Sequence, residues 1–178
     1  MRQEKLMHYL TVPAMALTLT FFAAGVRAAI QLPAGTEVHV VFEQIVSSKS
    51  VSAGDIIPIR LKGAIEVGGI TVVKDGAKGT AKVKAVESAG RVGKPGRVEV
   101  ELLELLPDGF YKAEGDKKIT LTAVTADGSG TIVAAGKGRK VLSLLVGFGL
   151  IIKGHQGEIP AEKMFAAKVK EDIKMIVE

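Results

Sequence analysis

The groups in this chain that could carry chemistry are two histidines, a scatter of carboxylates beside glycines, and one basic loop. His39 and His155 are the imidazoles left once His8 is assigned to the leader described below. Either could act as a general base, and a hydrolase built on His39 is the most distant of the functions open to this chain. Neither stands in an HExxH or GxSxG pattern, and two histidines hold zinc only if carboxylates complete the shell. Asp108, Asp116 and Asp127 each lie next to glycine without the alternating acids of a calcium loop, so they read as turn residues. Gly90-Arg91-Val92-Gly93 has the GxxG spacing of a nucleic-acid-binding KH loop, but that loop joins helices whereas this one joins strands. Lys94 is followed by Pro95, not by the hydroxyl residue that completes a phosphate-binding P-loop. What remains there is charge. Arg91, Lys94 and Arg97 put three cations on one short loop, a candidate for holding phosphate or an anionic polymer. The residues therefore predict a non-enzymatic protein with no catalytic site, no metal, no cofactor and no nucleic-acid partner.

The leader sets the expected address. Arg2 and Lys5 precede an apolar stretch from Leu10 to Ala24, and Val26-Arg27-Ala28 supplies the small residues a signal peptidase reads. That stretch falls short of the ~20 apolar residues a helix needs to cross a bilayer, which predicts removal before Ala29 and export. Without the two-charge excess of residues 1–28, the formal net charge of +5 becomes +3. This is too mild to imply nucleic acid, though it suits an anionic envelope polymer or lipid surface. The chain has no cysteine, hence no disulfide framework, no thiolate metal site and no lipid-accepting thiol. It has no tryptophan and only 4% aromatic residues, which argues against a sugar site built on stacked rings.

Past the leader the hydrophobic period is close to two. The alternation predicts half-buried strands whose inward residues include Val38, Val40, Phe42, Ile57, Ile59, Val83, Val98, Val100, Ile119 and Leu121. Ser47 to Ala53 reads as a polar loop, and Pro58, lacking an amide donor, predicts an edge strand or a strand start. Gly68-Gly69 between two apolar runs predicts a tight hairpin. Ala81, Val83 and Ala85 alternate with Lys82 and Lys84, and the Leu102-Leu103 pair breaks the next alternation, as a bulge or a doubly buried strand would. Pro107-Asp108-Gly109 and Asp127-Gly128-Ser129-Gly130 punctuate the chain as turns, and Lys163 to Val177 is read as a closing strand rather than a helix. Residues 29–178 are thus expected to form one all-β domain, a sandwich or small barrel of short, mostly antiparallel strands with one short apolar insertion.

That insertion is Val141 to Ile152 (VLSLLVGFGLII), which as a helix would rise ~18 Å and could not span a hydrocarbon core of ~30 Å. The preferred expectation is a buried element covering one end of the domain. The alternative is a membrane or partner contact through Val141, Leu142, Leu144, Leu145, Phe148 and Leu150.

Three turns share one logic: Leu32-Pro33-Ala34-Gly35-Thr36, Val73-Lys74-Asp75-Gly76-Ala77 and Ile159-Pro160-Ala161-Glu162-Lys163, the last with glutamate in place of glycine. Together with Ser47-Ser48, Gly54-Asp55, Gly68-Gly69 and Gly79-Thr80, this layout resembles a family of exported bacterial β-domains with IPAGT-type turns. More distantly, the strand into Pro107-Asp108-Gly109, the Asp127-Gly128 turn, the late apolar insertion and the Val169-Lys170-Glu171-Asp172-Ile173 ending are similar to the carboxy-terminal β-barrel domain of TrbI-type conjugative secretion proteins. The resemblance implies a β-barrel and, as the alternative function, a pore or scaffold subunit of an envelope complex. The leading expectation is an exported periplasmic or cell-envelope binding or assembly module. Its candidate partners are an envelope protein or anionic envelope polymer, with peripheral membrane contact and a homo-oligomer also open.

Overall fold

The structure is a computed structural model that describes residues 29–90, 94–137 and 155–177. The leader at residues 1–28, Arg91 of the basic loop, and the apolar run with Val141, Leu142, Leu144, Leu145, Phe148 and Leu150 lie outside the described residues.

The first half of the chain supplies β1 (Ala29–Leu32), β2 (Glu37–Phe42), the two-residue β3 (Val46–Ser47), β4 (Ile56–Lys62), the hairpin β5 (Ile65–Val67) and β6 (Ile70–Val73), and the long β7 (Lys78–Glu87). The second half supplies β8 (Arg97–Leu105), β9 (Tyr111–Ala113), β10 (Ile119–Ala123), β11 (Thr131–Ala135), β12 (Glu158–Ile159), β13 (Met164–Val169) and β14 (Ile173–Val177). One sheet runs β10-β13-β2-β4-β7-β8, and β10 pairs with β8 as well, so six antiparallel strands close into a barrel. The expected all-β class is therefore a barrel. A three-stranded sheet β1-β14-β9 contributes Leu32, Ala113, Ile173 and Met175 to the same core, at the end where β2 begins. The β3–β12 pair contributes Val46 and Ile159 at the opposite end, which we call the rim.

All ten residues predicted from alternation to point inward are buried. Val67 and Ile70 face each other across Gly68-Gly69, whose φ values of 60° and 80° are those of a two-residue hairpin turn. The Leu102-Leu103 break is a bulge: Thr80 pairs with Glu104 and Ala81 with Leu102, which leaves Leu103 as the extra residue. A second bulge at Lys84 corrects the expected phase of β7, because it turns Ala85 outward and brings Val86 against Val98. Lys163 to Val177 forms two strands, β13 and β14, and β13 lies between β10 and β2.

Two further expectations are corrected. Pro58 is the third residue of β4, an interior strand between β2 and β7. It is tolerated because β2 has run out there: Phe42 opposite Ile59 is the last pair, and the Pro58 carbonyl accepts from Glu43 N at 3.3 Å. The missing donor thus faces the side where the ladder has ended. Ser47 and Ser48, expected in a solvated loop, are 9% and 2% exposed.

The repeated turn recurs four times, each time at the entrance to a barrel strand. Before β2, β4, β7 and β13 the chain passes through residues 33–36, 52–55, 74–77 and 160–163, with the third residue left-handed at φ 82°, 97°, 83° and 59°. The copy at Ser52-Ala53-Gly54-Asp55, led by Val51, reads in the sequence as a Gly-Asp turn after a polar loop and joins the set only through its geometry. Glu162 takes the glycine conformation despite its side chain. In each copy the amide of that third residue donates to a neighbouring strand: Gly35 to Val169 O (2.8 Å), Glu162 to Phe42 O (3.1 Å), Gly54 to Val83 O (2.8 Å) and Gly76 to Leu61 O (3.0 Å). The turn that opens β2 grips β13 and the turn that opens β13 grips β2, with β4 and β7 related in the same way. Four of the six staves are locked in two reciprocal pairs.

Candidate partner-binding rim

The registers bring the end of β7, the start of β8, the end of β11 and the start of β12 to one end of the barrel. With the Ser48 segment that follows β3, five chain segments meet there through main chain and two polar side chains. Gly96 N donates to His155 O at 2.9 Å, and Gly136 N donates to Gly96 O at 2.8 Å. Ser48 N donates to Gly157 O at 2.9 Å and Gly157 N returns a bond to Ser48 Oγ at 3.1 Å. The Ser48 hydroxyl donates to Gln156 Oε1 at 2.6 Å, and Ala89 N reaches the same oxygen at 3.2 Å. Among the described residues no buried side-chain nitrogen or oxygen lacks a partner, so this buried polar knot is satisfied.

Glycine is what lets the segments approach. A Cβ at Gly136 would overlap the His155 carbonyl, one at Gly157 would overlap Ala134 O, and one at Gly96 would overlap Ser48 Oγ. The rim therefore fixes, within hydrogen-bond distance, the points where the chain departs for residues 138–154 and returns from them, beside the stalk that carries the basic loop. Sequence patterning placed Ser48 only in a polar loop and in the family layout, and it gave no role to Gln156 or these glycines. They lie far apart in the chain, and nothing in their local pattern signals a close approach.

Of the predicted cations, Lys94 lies 3.5 Å from Glu87 and Arg97 lies 2.7 Å from Glu99. Each already faces a carboxylate in an exposed pair of the kind that contributes ~0–1 kcal/mol. His39 sits on the exposed face of β2, opposite Lys62 and Ala166. His155 is a rim residue that contributes its carbonyl. No group of three or more His, Cys, Asp or Glu among the described residues is placed to hold a metal. Asp127 accepts from Ser129 N (3.1 Å) and Ser129 Oγ (2.9 Å). A bond from the Thr125 side chain, and then these two, hold its carboxyl below the ordinary carboxylate value. Asp108 gives its carbonyl to Lys74 N at 2.9 Å, and Asp116 ends a one-turn 3-10 segment, Glu114–Asp116. Asp116 and Asp127 thus act locally, whereas Asp108 lies in irregular chain and ties to a distant segment.

No family model, no curated protein and no solved structure matches this chain. No helix among the described residues is long and apolar enough to cross a membrane.

Proposed function

We propose that this protein is an exported, non-enzymatic module of the cell envelope that works by binding or assembly and meets its partner at the rim. One observation carries this reading: three glycines without room for a side chain, with the buried Ser48–Gln156 pair, hold five chain segments in fixed relation at one end of the barrel. In the sequence the two unusual stretches, the basic loop and the run from Val141 to Ile152, lie between segments that meet there. A rigid frame presenting two adjoining segments suits recognition of a macromolecule better than turnover of a small one.

The test is site-specific photo-cross-linking in producing cells, with the cross-linker at Lys94 or Lys137 on the rim side and at Lys82 on the barrel wall as control. A discrete envelope adduct from the rim positions and none from Lys82 is expected. Equal or absent labelling would sink the proposal. The second reading, a TrbI-like pore or scaffold subunit, is favoured by the closed barrel and is separated by light scattering: a ring subunit is multimeric, a simple module is not.

A further inference from the structure

Among the described residues the barrel wall has one seam. β8 pairs with β10 only at Glu104 and Leu105, and with β11 from Arg97 to Glu101, so β11 takes over the edge that β10 leaves. β10 moves across to β13, pairing with Ala167 to Val169, and Val124 N reaches Ala166 O at 2.9 Å. Beyond that point β11 pairs with β8 alone, and the first residues of β13 pair with β2 alone. Two cavities, of about 340 and 220 Å³, open between them and share Ile132, Val133 and Phe165 as lining.

The edge of β11 is open in a specific sense. Gly136 N bonds toward the β8 side, so by alternation along the strand the amides of Ala135 and Val133 face the seam, where the described residues offer them no partner. The strand Thr131-Ile132-Val133-Ala134-Ala135 carries neither charge nor proline, the usual guards of an exposed edge. Val133 is 44% exposed, and Val124 across the groove is 47% exposed. Charge appears only at the groove's ends: Asp127 at the Thr131 end, and Lys163 with Glu158 at the Ala135 end, where the Ser47 hydroxyl donates to Glu158 at 3.3 Å.

We propose that the seam receives one extended segment of a partner protein, which adds to β11 as an antiparallel strand with an acidic residue at its start, about five uncharged residues with apolar side chains at alternate positions, and a basic residue at its end. The order follows from direction. β11 runs from Asp127 toward Lys163, so an antiparallel guest begins at Lys163 and finishes at Asp127. An internal charge would lose hydration against Val133 and Phe165, and a basic one would also meet the Lys163 ammonium, 5.4 Å over the Phe165 ring. Because β11 and β13 are themselves antiparallel, the guest is antiparallel to β11 only and meets β13 through side chains. This is strand addition to a sheet edge, in which main-chain bonds supply affinity and alternate side chains supply selectivity. It rests on the binding role proposed above and names the chemistry of the partner.

The test uses the purified full chain, isotope-labelled, and the capped peptide Glu-Val-Thr-Val-Thr-Val-Lys. Saturable amide shifts and slowed hydrogen exchange at Val133 and Ala135 are expected. Val133→Pro removes the donor facing the seam while sparing the amides that face β8, and should weaken binding at least tenfold. Val133→Thr keeps the amide and should bind as the parent does. Should Val133→Pro fail to fold, the paired change Asp127→Lys with Lys163→Glu should transfer preference to the peptide with its terminal charges exchanged. Binding unchanged by Val133→Pro, shifts confined to β1 or β9, or equal affinity for both charge orders would each overturn the proposal. Rim cross-links without peptide binding would remove the seam and leave the binding role at the rim. Peptide binding without rim cross-links would keep the seam and remove the rim as the place where the partner is met.

Discussion

Glycine has two unrelated jobs in this molecule, and the entry turns and the rim separate them. At Gly35, Gly54 and Gly76 a Cβ would meet nothing within 4 Å, yet all three are left-handed, so the requirement is on angle and not on space. At Gly136 and Gly157 the φ angle lies outside that region and the requirement is on space, because another segment's carbonyl occupies the position of the side chain. The turns thus hold by a conformation that another residue can adopt at some cost, as Glu162 does. The rim holds by close packing that no side chain permits. Turn positions should therefore tolerate substitution and rim positions should not.

The barrel wall sets the scale. Phe42 is fully buried and stacks edge-on against Phe165 with ring centres 5.5 Å apart, so Phe42→Ala should cost about 3 to 5 kcal/mol by denaturant titration. A loss under ~1 kcal/mol would mean that the wall can collapse around the gap. Next comes Gly136→Ala, expected to cost about 3 kcal/mol, since a methyl there must displace backbone rather than a flexible side-chain end. Gly76→Ala should cost about 1 kcal/mol, the penalty of a left-handed L-residue. D-alanine at 76, which fits that angle, should raise the melting temperature. If the two enantiomers behave alike at 76, the distinction between angle and space fails. The smallest effect is Glu162→Gly. Relief of a left-handed glutamate is offset by the extra freedom of glycine in the unfolded chain and by loss of the exposed pair with Arg60 (2.6 Å), leaving a gain of about 0.5 kcal/mol, best seen at high salt where that pair is screened.

The barrel was largely legible in the sequence, the rim hardly at all. Alternation along β2, β4, β8 and β10 identifies the buried face correctly, because a two-residue period with one dry face leaves no other phase. It fails in β7 after Lys84, where a bulge shifts the phase and no residue type announces the shift. Pro58 misleads because its missing donor matters only if a neighbour is present to receive it, and β2 stops one residue short. Ser47 and Ser48 look like loop residues, yet they are buried because Gln156, Gly157 and Glu158 supply their hydrogen bonds from the far side of the chain.

By itself the sequence determined the class of fold, the inward residues away from the bulge at Lys84, the hairpin at Gly68-Gly69 and the turns at the strand entrances. These are local properties, written in a period of two and in residues that favour particular dihedral angles. Only the tertiary structure decided that the sheet closes, that the turns grip strands in reciprocal pairs, that Gly96, Gly136 and Gly157 meet, and that β11 is paired on one side alone among the described residues. Each of these depends on which distant segments become neighbours, and that is set by the packing of the whole core rather than by the preference of any one stretch.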